Sequence, residues 1–294
     1  MSDVSVIVVS YFTGPVLGDC LDRLAGDASV REVVIVDNGN PPDVSIALAA
    51  RAARDARFRL VAGHGNVGFS RGCNLGAAAA SGGVLAFINP DVRIEPGCIA
   101  AMAETARAGA QPCIAGARIL WADGRDQRGG RRDVITPWNA LVAAAGLGGL
   151  ERYSRLFRDP HRERDPVPAA PLAVGAVSGA AMAMTAEAFR TLGGFDEGYF
   201  LHAEDLDICR RALEAGGAVL FTPQARALHA KSTSAASPFK VEAAKARSFF
   251  RYFLKFAHSP ASKAAAAFSA GLVGAGLLLR GAARRLRARQ QFTL

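Results

Sequence analysis

VSVIVVSYFTGPVLGDCLDRLAGDASVREVVIVDNG, residues Val4–Gly39, sets two short apolar runs on either side of an amphipathic stretch of helical length. Val4–Val9 and Val33–Val36 are rich in Val and Ile and lack the alternation of a half-buried strand, which is the pattern of strands covered on both faces. Val16–Ala25 between them reads as a helix. The unit repeats downstream: Phe58–Ala62 and Val84–Ile88 read as further strands, Val44–Ala56 and Asn74–Ala80 as further helices. Strands alternating with helices imply a parallel sheet with helices on both faces. Ligands of such sheets bind beyond the carboxyl ends of the strands. Those ends carry Ser10-Tyr11, Asp37-Asn38, the segment Gly63–Arg71 and the turn Asn89-Pro90-Asp91.

The 294 residues are 50% hydrophobic and 21% charged, a globular composition. The net charge of +9 is unevenly placed. From Phe239 onward eleven Lys/Arg face one acid, Glu242, a balance of +10, so the preceding body sits at −1. A neutral body argues against nucleic acid as its partner, and the basic tail points to an anionic surface. The five cysteines (Cys20, Cys73, Cys98, Cys113 and Cys209) are odd in number and lack CxxC spacing, which suits buried reduced thiols of the cytoplasm. Met1-Ser2-Asp3 has no basic leader character, so no signal peptide is expected.

Arg118–Pro171, rich in Arg, Asp, Gly and Pro, interrupts the pattern and reads as an inserted loop region with one short apolar helix, Ala140–Leu147. Regular structure resumes at Ala173–Thr185, and Ala218–Phe221 is a later strand. Between them HAEDLDICRR, His202–Arg211, opens a helix with Glu204, Asp205 and Asp207. Acids at a helix N-terminus complement its dipole, which accounts for one or two of the three. The Asp207–Arg211 spacing is that of an ion pair on one helix face. An acidic turn at a strand end, Asp91, together with an acidic helix start elsewhere, can supply a metal ligand and a general base. His229 as a ligand needs a carboxylate partner, and Asp91 is the obvious one. Asp37 has a plainer alternative as a turn former with Asn38-Gly39. The Gly-rich stretch Gly63–Ala77 lacks the P-loop pattern and lies in the wrong place for a dinucleotide fingerprint, so a tight turn before a helix competes with a ligand site, with Arg71 available to phosphate.

Taken in order, SVIVVSY (Ser5–Tyr11), VVIVDNG (Val33–Gly39), GNVGFSRGCNLG (Gly65–Gly76), FINPDV (Phe87–Val92), GGFDEGYFLHAEDLDICRR (Gly193–Arg211) and His229 with Ser232-Thr233 resemble glycosyltransferase family 2, inverting enzymes that use nucleotide sugars. Rhamnosyltransferase-like bacterial members are the most similar. The resemblance implies a GT-A-like α/β fold with a mostly parallel sheet, a nucleotide-sugar donor and Mg2+ or Mn2+. It implies that Ser10, Tyr11, Asp37, Gly68, Arg71, Asn74, Asn89 and Asp91 bind the donor, that Asp91 and His229 hold the metal, and that Asp205, paired with Glu204, is the catalytic base. The first acidic position of the family's DXD-type motif is Asn89 here, leaving one firm carboxylate. No QxxRW motif is present, which speaks against processive polymer synthesis.

These readings predict a catalytic domain over residues 1–235, containing the 118–171 insertion, and a basic, apolar helical extension over 236–294. The expected reaction is transfer of one sugar, with dTDP-rhamnose as a candidate donor, to a polyprenyl-linked or surface-glycan acceptor. The alternative is a non-catalytic sugar-nucleotide-binding or scaffold subunit of a glycan-assembly complex. A nicotinamide dehydrogenase is disfavoured by the missing first-turn fingerprint. A helix over Phe239–Ala257 gathers Phe249, Tyr252, Phe253 and Phe256 on one face, with Arg247 and Arg251 opposite, as in an interfacial helix. The uncharged run Ala264–Leu279, at about 1.5 Å per residue, is short of a hydrocarbon core of about 30 Å. The expectation is a cytoplasmic protein, peripheral on the inner face of the cytoplasmic membrane. The competing reading packs the helical pair on the catalytic domain or on a second subunit, as in a homo-oligomer.

Overall fold

The computed structural model describes residues 3–230 and 238–291. Ser232-Thr233 and the expected domain boundary near 235 lie outside the described residues. The elements in chain order are β1 (Val4–Ser10), α1 (Val16–Gly26), β2 (Val30–Asp37), α2 (Pro42–Arg54), β3 (Phe58–Val61), α3 (Phe69–Ala79), β4 (Val84–Ile88), β5 (Val92–Ile94), α4 (Cys98–Ala108) and β6 (Cys113–Leu120). After these come β7 (Arg131–Arg132), α5 (Pro137–Ala145), β8 (Leu172–Ala173), β9 (Ala176–Val177), β10 (Ala181–Thr185), α6 (Ala186–Thr191), α7 (Glu204–Glu214), β11 (Ala218–His229), α8 (Pro238–Lys255) and α9 (Pro260–Gln291).

The main sheet runs β3-β2-β1-β4-β10-β6-β11-β5, with β8 added alongside β11. The first four strands are parallel, as the unbroken Val/Ile runs predict. β10 enters antiparallel between β4 and β6, and β11 runs parallel to β6. Successive residues of β1 point to opposite faces, and both faces are dry. Val6 and Val8 join Val33, Ile35, Leu17, Leu21, Ile99 and Met102 in one core layer. Ile7 and Val9 join Val36, Cys73, Phe189, Leu206, Tyr252 and Phe253 in the other.

Helix α3 starts at Phe69, five residues before the expected Asn74. The glycines that hid it are packing residues. A Cβ on Gly72 would lie 2.8 Å from Val9 Cγ1, and one on Gly76 would lie 2.5 Å from Ile7 Cγ2, so these positions let the helix sit directly on β1. β11 joins the expected strand Ala218–Phe221 to the strand-like stretch Arg226–Leu228, which His229 closes as the sequence suggests, because an irregularity between Thr222 and Arg226 absorbs Pro223.

The extension packs against the body. Tyr252, Phe253 and Ala257 of α8 are buried, and the Tyr252 hydroxyl donates to Ile135 O at 3.3 Å. Lys255 reaches Asp196 at 2.7 Å and Asp207 at 2.6 Å, while Arg251 reaches Asp196 at 2.8 Å. Burial raises the Asp196 carboxyl, but Lys255, the Gly198 amide and Arg251 outweigh it and hold the group at about 2. The face of α8 expected to meet lipid therefore meets protein, with Tyr252 and Phe253 inside the core. Helix α9 packs on α8 and α5 through Ala266, Ala270 and Val273. Its opposite face exposes Phe268 (70%) and Leu272 (45%). No helix among the described residues is long and apolar enough to cross a membrane.

Candidate active site

The parallel register of β1 and β2 pairs Ser10 with Asp37, so the two strands end level. Asp37 Oδ1 accepts from Gly39 N (3.2 Å), Asn40 N (2.9 Å) and Asn40 Nδ2 (2.9 Å), and Oδ2 accepts from Ser45 Oγ (2.5 Å). Burial pushes this carboxyl up, but the Ser45, Asn40 and Gly39 donors prevail and hold it below the usual range. Both turn-forming and ligand-facing roles need that anion, and the turn-forming one is plainly built. Asn40, which sequence reasoning missed, accepts from Phe12 N (2.8 Å) and donates to Ser10 O (3.1 Å), tying the two strand ends together. Phe12 is held at φ +50, and Tyr11 beside it is exposed.

The Gly-rich loop is buttressed from behind. Gly68, at φ +87, has no room for a Cβ, which would lie 2.8 Å from Phe200 Cδ2 and 2.9 Å from Phe200 O. Asn74 bonds Phe195 N and Phe195 O, both at 2.9 Å, and Arg71 pairs with Glu197 at 3.7 Å. Gly68, Arg71 and Asn74 thus join α3 to the segment before α7. Their visible contacts are with protein.

Asp91 follows β4, and its neighbour Val92 pairs with His229 across β5 and β11. This register brings His229 Nε2 within 3.1 Å of Asp91 Oδ1, in a site where both side chains are largely buried. The partnership that the sequence left open is formed. Asn89 adjoins it, with its buried Oδ1 lacking a protein partner. Among the described residues no group of three or more His, Cys, Asp or Glu is gathered to hold a metal ion. The donor set is one carboxylate, one imidazole and one amide oxygen, which suits a divalent cation completed by further oxygens from a ligand.

The acidic helix start is strained: His202 (φ +69) and Ala203 (φ +66) are both left-handed immediately before Glu204. Such residues cost roughly 1–3 kcal/mol each and cluster where function requires them. Asp205 Oδ2 receives Arg132 at 2.6 Å and Gly179 N at 3.1 Å, while Oδ1 caps Leu206 N at 2.8 Å. Arg132 belongs to the insertion, is aligned by β7–β9 pairing and was assigned no role from sequence. Glu204 is buried with Oε2 lacking a partner. The two carboxyls diverge. Burial and the Asp205 charge raise Glu204 to about 8, whereas for Asp205 the opposing burial is outweighed by Arg132 and the amide donors, so it stays below the ordinary carboxylate range. Asp205 is thereby the anion of the pair and Glu204 the neutral acid at neutral pH. Asp207 is fully buried against Arg211 (2.7 Å), Lys255 and Tyr199, a structural ion pair as its spacing allowed.

One two-residue segment joins the halves of the site. Gly179 N donates to Asp205, and the next carbonyl, Ala180 O, accepts from Asn89 N at 2.9 Å. The carboxylate helix and the Asn89–Asp91 turn are therefore anchored to neighbouring residues at the entrance to β10.

The comparisons with known proteins agree with this architecture. The chain is 29% identical over 249 residues to a Mycobacterium tuberculosis protein named N-acetylglucosaminyl-diphospho-decaprenol L-rhamnosyltransferase, covering 80% of this chain and 78% of that one. A mannosyltransferase from Pyrobaculum calidifontis, solved with GDP-Man and Mn2+, superposes with a TM-score of 0.57 at 17% identity, covering 99% of this chain and 80% of that one. GalNAc-T7, solved with UDP, GalNAc and Mn2+, gives a TM-score of 0.58 at 17% identity, over 77% of this chain and 43% of that one. These structures share the fold. The family profile described as Glycosyl transferase family 2 matches residues 5–182, so this chain, with its mostly parallel sheet and its acidic groups at the strand ends, belongs to glycosyltransferase family 2.

Proposed function

We propose that this glycosyltransferase moves a single sugar, with inversion, from a nucleoside-diphosphate sugar to a polyprenyl-linked or cell-surface glycan acceptor. L-rhamnose from dTDP-rhamnose is the first donor to test, supported by the name of the mycobacterial relative. The observation that carries the reading is the Gly179-Ala180 link, which anchors an ionised carboxylate and the Asn89–Asp91 turn side by side.

Asp205 accepts the proton of the attacking acceptor hydroxyl. Arg132 keeps it ionised, and the strained turn before α7 sets its direction. Glu204, neutral beside it, removes a second negative charge from the place where the acceptor oxygen gains electron density. Asp91 and His229, with Asn89 adjoining, would hold Mg2+ or Mn2+. That ion, when bound, offsets the charge of the departing nucleoside diphosphate. Direct displacement needs no protein nucleophile. Ser10, Tyr11 and Asp37 line the level strand ends where the nucleoside sits, while Gly68, Arg71 and Asn74 support that region from behind.

The exposed face of α9 with Phe268 and Leu272, followed in sequence by Arg280, Arg284, Arg285, Arg287 and Arg289, supports a peripheral position on an anionic membrane. A panel of nucleotide sugars assayed for nucleoside-diphosphate release and transfer identifies the donor. Asp205→Asn is expected to abolish transfer and leave calorimetric donor binding nearly intact. A scaffold subunit releases no nucleoside diphosphate from any donor, and that result would overturn the catalytic reading.

A further inference from the structure

The part of the insertion between Arg132 and His161 is tied together at its base. Asp133 N donates to Pro160 O at 2.8 Å, Arg132 and His161 form an antiparallel bridge, and Arg158 reaches Asp133 at 3.0 Å. The chain enclosed by this neck is a knob made of α5 and two short 3-10 helices, Leu147–Arg152 and Arg155–Phe157. Thr136 and Asn139 cap the start of α5, and Gly146 ends it in the left-handed region at φ +72. Trp138 Nε1 donates to Leu156 O at 2.7 Å and closes the knob on itself.

The inner side of the knob is accounted for by packing, since Val142 is buried and Ala140 lies against the core. The outer side is apolar as well. Trp138, Leu147, Leu150, Tyr153 and Leu156 are all exposed, Tyr153 by 72% and Leu156 by 68%. Folding does not need them there, and clustered exposed apolar side chains mark a surface that meets something. The residues among them give its chemistry. Arg152 lies over the Tyr153 ring at 4.6 Å, and Arg155 follows two residues on, against the single acid Glu151. Amphipathic rings beside cations suit the boundary between headgroups and acyl chains. Helix α9 packs on α5, exposes Phe268 and Leu272, and leads into five further arginines, so a neighbouring element offers the same chemistry. A second copy of the chain fits less well. An isologous contact would bring Arg152 and Arg155 into one interface with their own copies, whereas an anionic surface neutralises them.

We propose that the knob is a membrane-contacting element, in which Leu150, Tyr153 and Leu156 enter the headgroup region of an anionic bilayer and Arg152 and Arg155 meet its phosphates. This rests on the reading of the chain as peripheral on such a membrane, and adds a second contact to that of α9. Arg132 stands in the neck of the knob and holds Asp205 at 2.6 Å. The lipid contact and the proposed base are therefore joined by one short piece of main chain, at the place where an acceptor whose lipid stays in the bilayer must present its sugar.

The test uses the full chain carrying Trp121→Phe, which leaves Trp138 as its one tryptophan, and vesicles of phosphatidylglycerol and phosphatidylcholine with brominated acyl chains. On binding at low salt, Trp138 emission is expected to shift to shorter wavelength and to be quenched. Tyr153→Ser combined with Leu156→Ser is expected to weaken vesicle binding about tenfold or more, with nucleoside-diphosphate release in the absence of lipid unchanged. A chain that stays in the supernatant removes the membrane reading and this proposal together. Vesicle binding with Trp138 unquenched, or equally tight in the double variant, overturns the knob alone and leaves α9 as the contact. The quenching is read on an unaltered knob, so it decides even where the double variant does not fold. A dimer seen by sedimentation velocity without lipid, and lost in Leu156→Ser, assigns the surface to a second copy and also overturns the proposal.

Discussion

Replacing Arg132 by Met is expected to separate the structural and chemical roles of the Arg132–Asp205 pair. The two groups meet at 2.6 Å with side chains only 12% and 14% exposed, so solvent screens them little. Removing one partner of a buried pair leaves an uncompensated charge and costs about 3–5 kcal/mol. At roughly 2–4 °C per kcal/mol for a chain of this class, the melting temperature near pH 7 should fall by roughly 6–20 °C. The loss has a defined pH dependence. Asp205 lies below its ordinary value of 3.8 in the wild type, so its contribution is present above that value and disappears as pH falls through the folded one. In the variant, acid instead protonates an unpaired carboxylate and relieves it. The gap between the two proteins should therefore be widest near neutrality and narrow toward about pH 4. With Asp205 as the proposed base, which must be ionised, activity should report the same change: the acidic limb of kcat/KM should move to higher pH in Arg132→Met. Thermal melts and a pH–rate series on both proteins measure this. Equal melting temperatures at neutral pH, or a gap that stays constant on acidification, would refute the account of Arg132 as the group that keeps Asp205 charged.

Glu204→Gln should match wild type in stability near pH 5 and become the more stable protein toward pH 9. Its wild-type carboxyl is raised from 4.5 to about 8, so the folded protein holds it protonated while the unfolded chain ionises it; the resulting loss of stability grows from about pH 4.5 and levels off above about 8, and melts at the two pH values measure the difference. Asp91→Ala and His229→Ala should each weaken the divalent-metal requirement and donor binding; a titration curve unchanged in His229→Ala would leave the histidine a purely structural part of the β5–β11 pairing. Phe253→Ala should cost about 3–5 kcal/mol by chemical denaturation, because the ring fills the core between α8 and the sheet. A chain ending near residue 237 should for the same reason be less soluble than the full one. Phe268→Asp combined with Leu272→Asp should abolish salt-sensitive sedimentation with anionic vesicles, and wild-type protein that stays in the supernatant at low salt would remove the membrane from the proposal.

The parallel half of the sheet was legible because its strands are buried on both faces, and that condition writes itself as uninterrupted Val and Ile. Val84–Ile88 coincides with β4 residue for residue. The start of α3 was not legible, since glycine chosen for close packing on β1 has the same letter as glycine chosen for a turn. The Asp91–His229 pair could be suspected from residue type but not formed on paper, because it depends on the register of β5 against the far end of β11. Arg132 was hidden for another reason: it comes from the insertion, where no periodicity marks which side chain turns inward. The aromatic face of α8 shows the limit of amphipathicity as a signal. A stripe of Phe and Tyr states that a helix needs an apolar partner, and the ion pairs of Lys255 and Arg251 with Asp196 and Asp207, invisible to any local pattern, identify the catalytic body as that partner.

The link at Gly179-Ala180 has a consequence for how such an enzyme can vary. One hydrogen bond runs from the Gly179 amide and the other ends on the Ala180 carbonyl, so the spacing of Asp205 and the Asn89–Asp91 turn is gauged by covalent main-chain geometry, about 3.8 Å from one Cα to the next. Substitutions that reshape the sugar pocket alter side chains and leave that gauge untouched. On the roles proposed for Asp205 and Asp91, a change of donor sugar would be made in those pocket side chains while the spacing between proton acceptor and donor turn is inherited unchanged. An insertion or deletion of a single residue at 179–180 has no such freedom, since it would shift both anchors at once and put β10 out of register with β4.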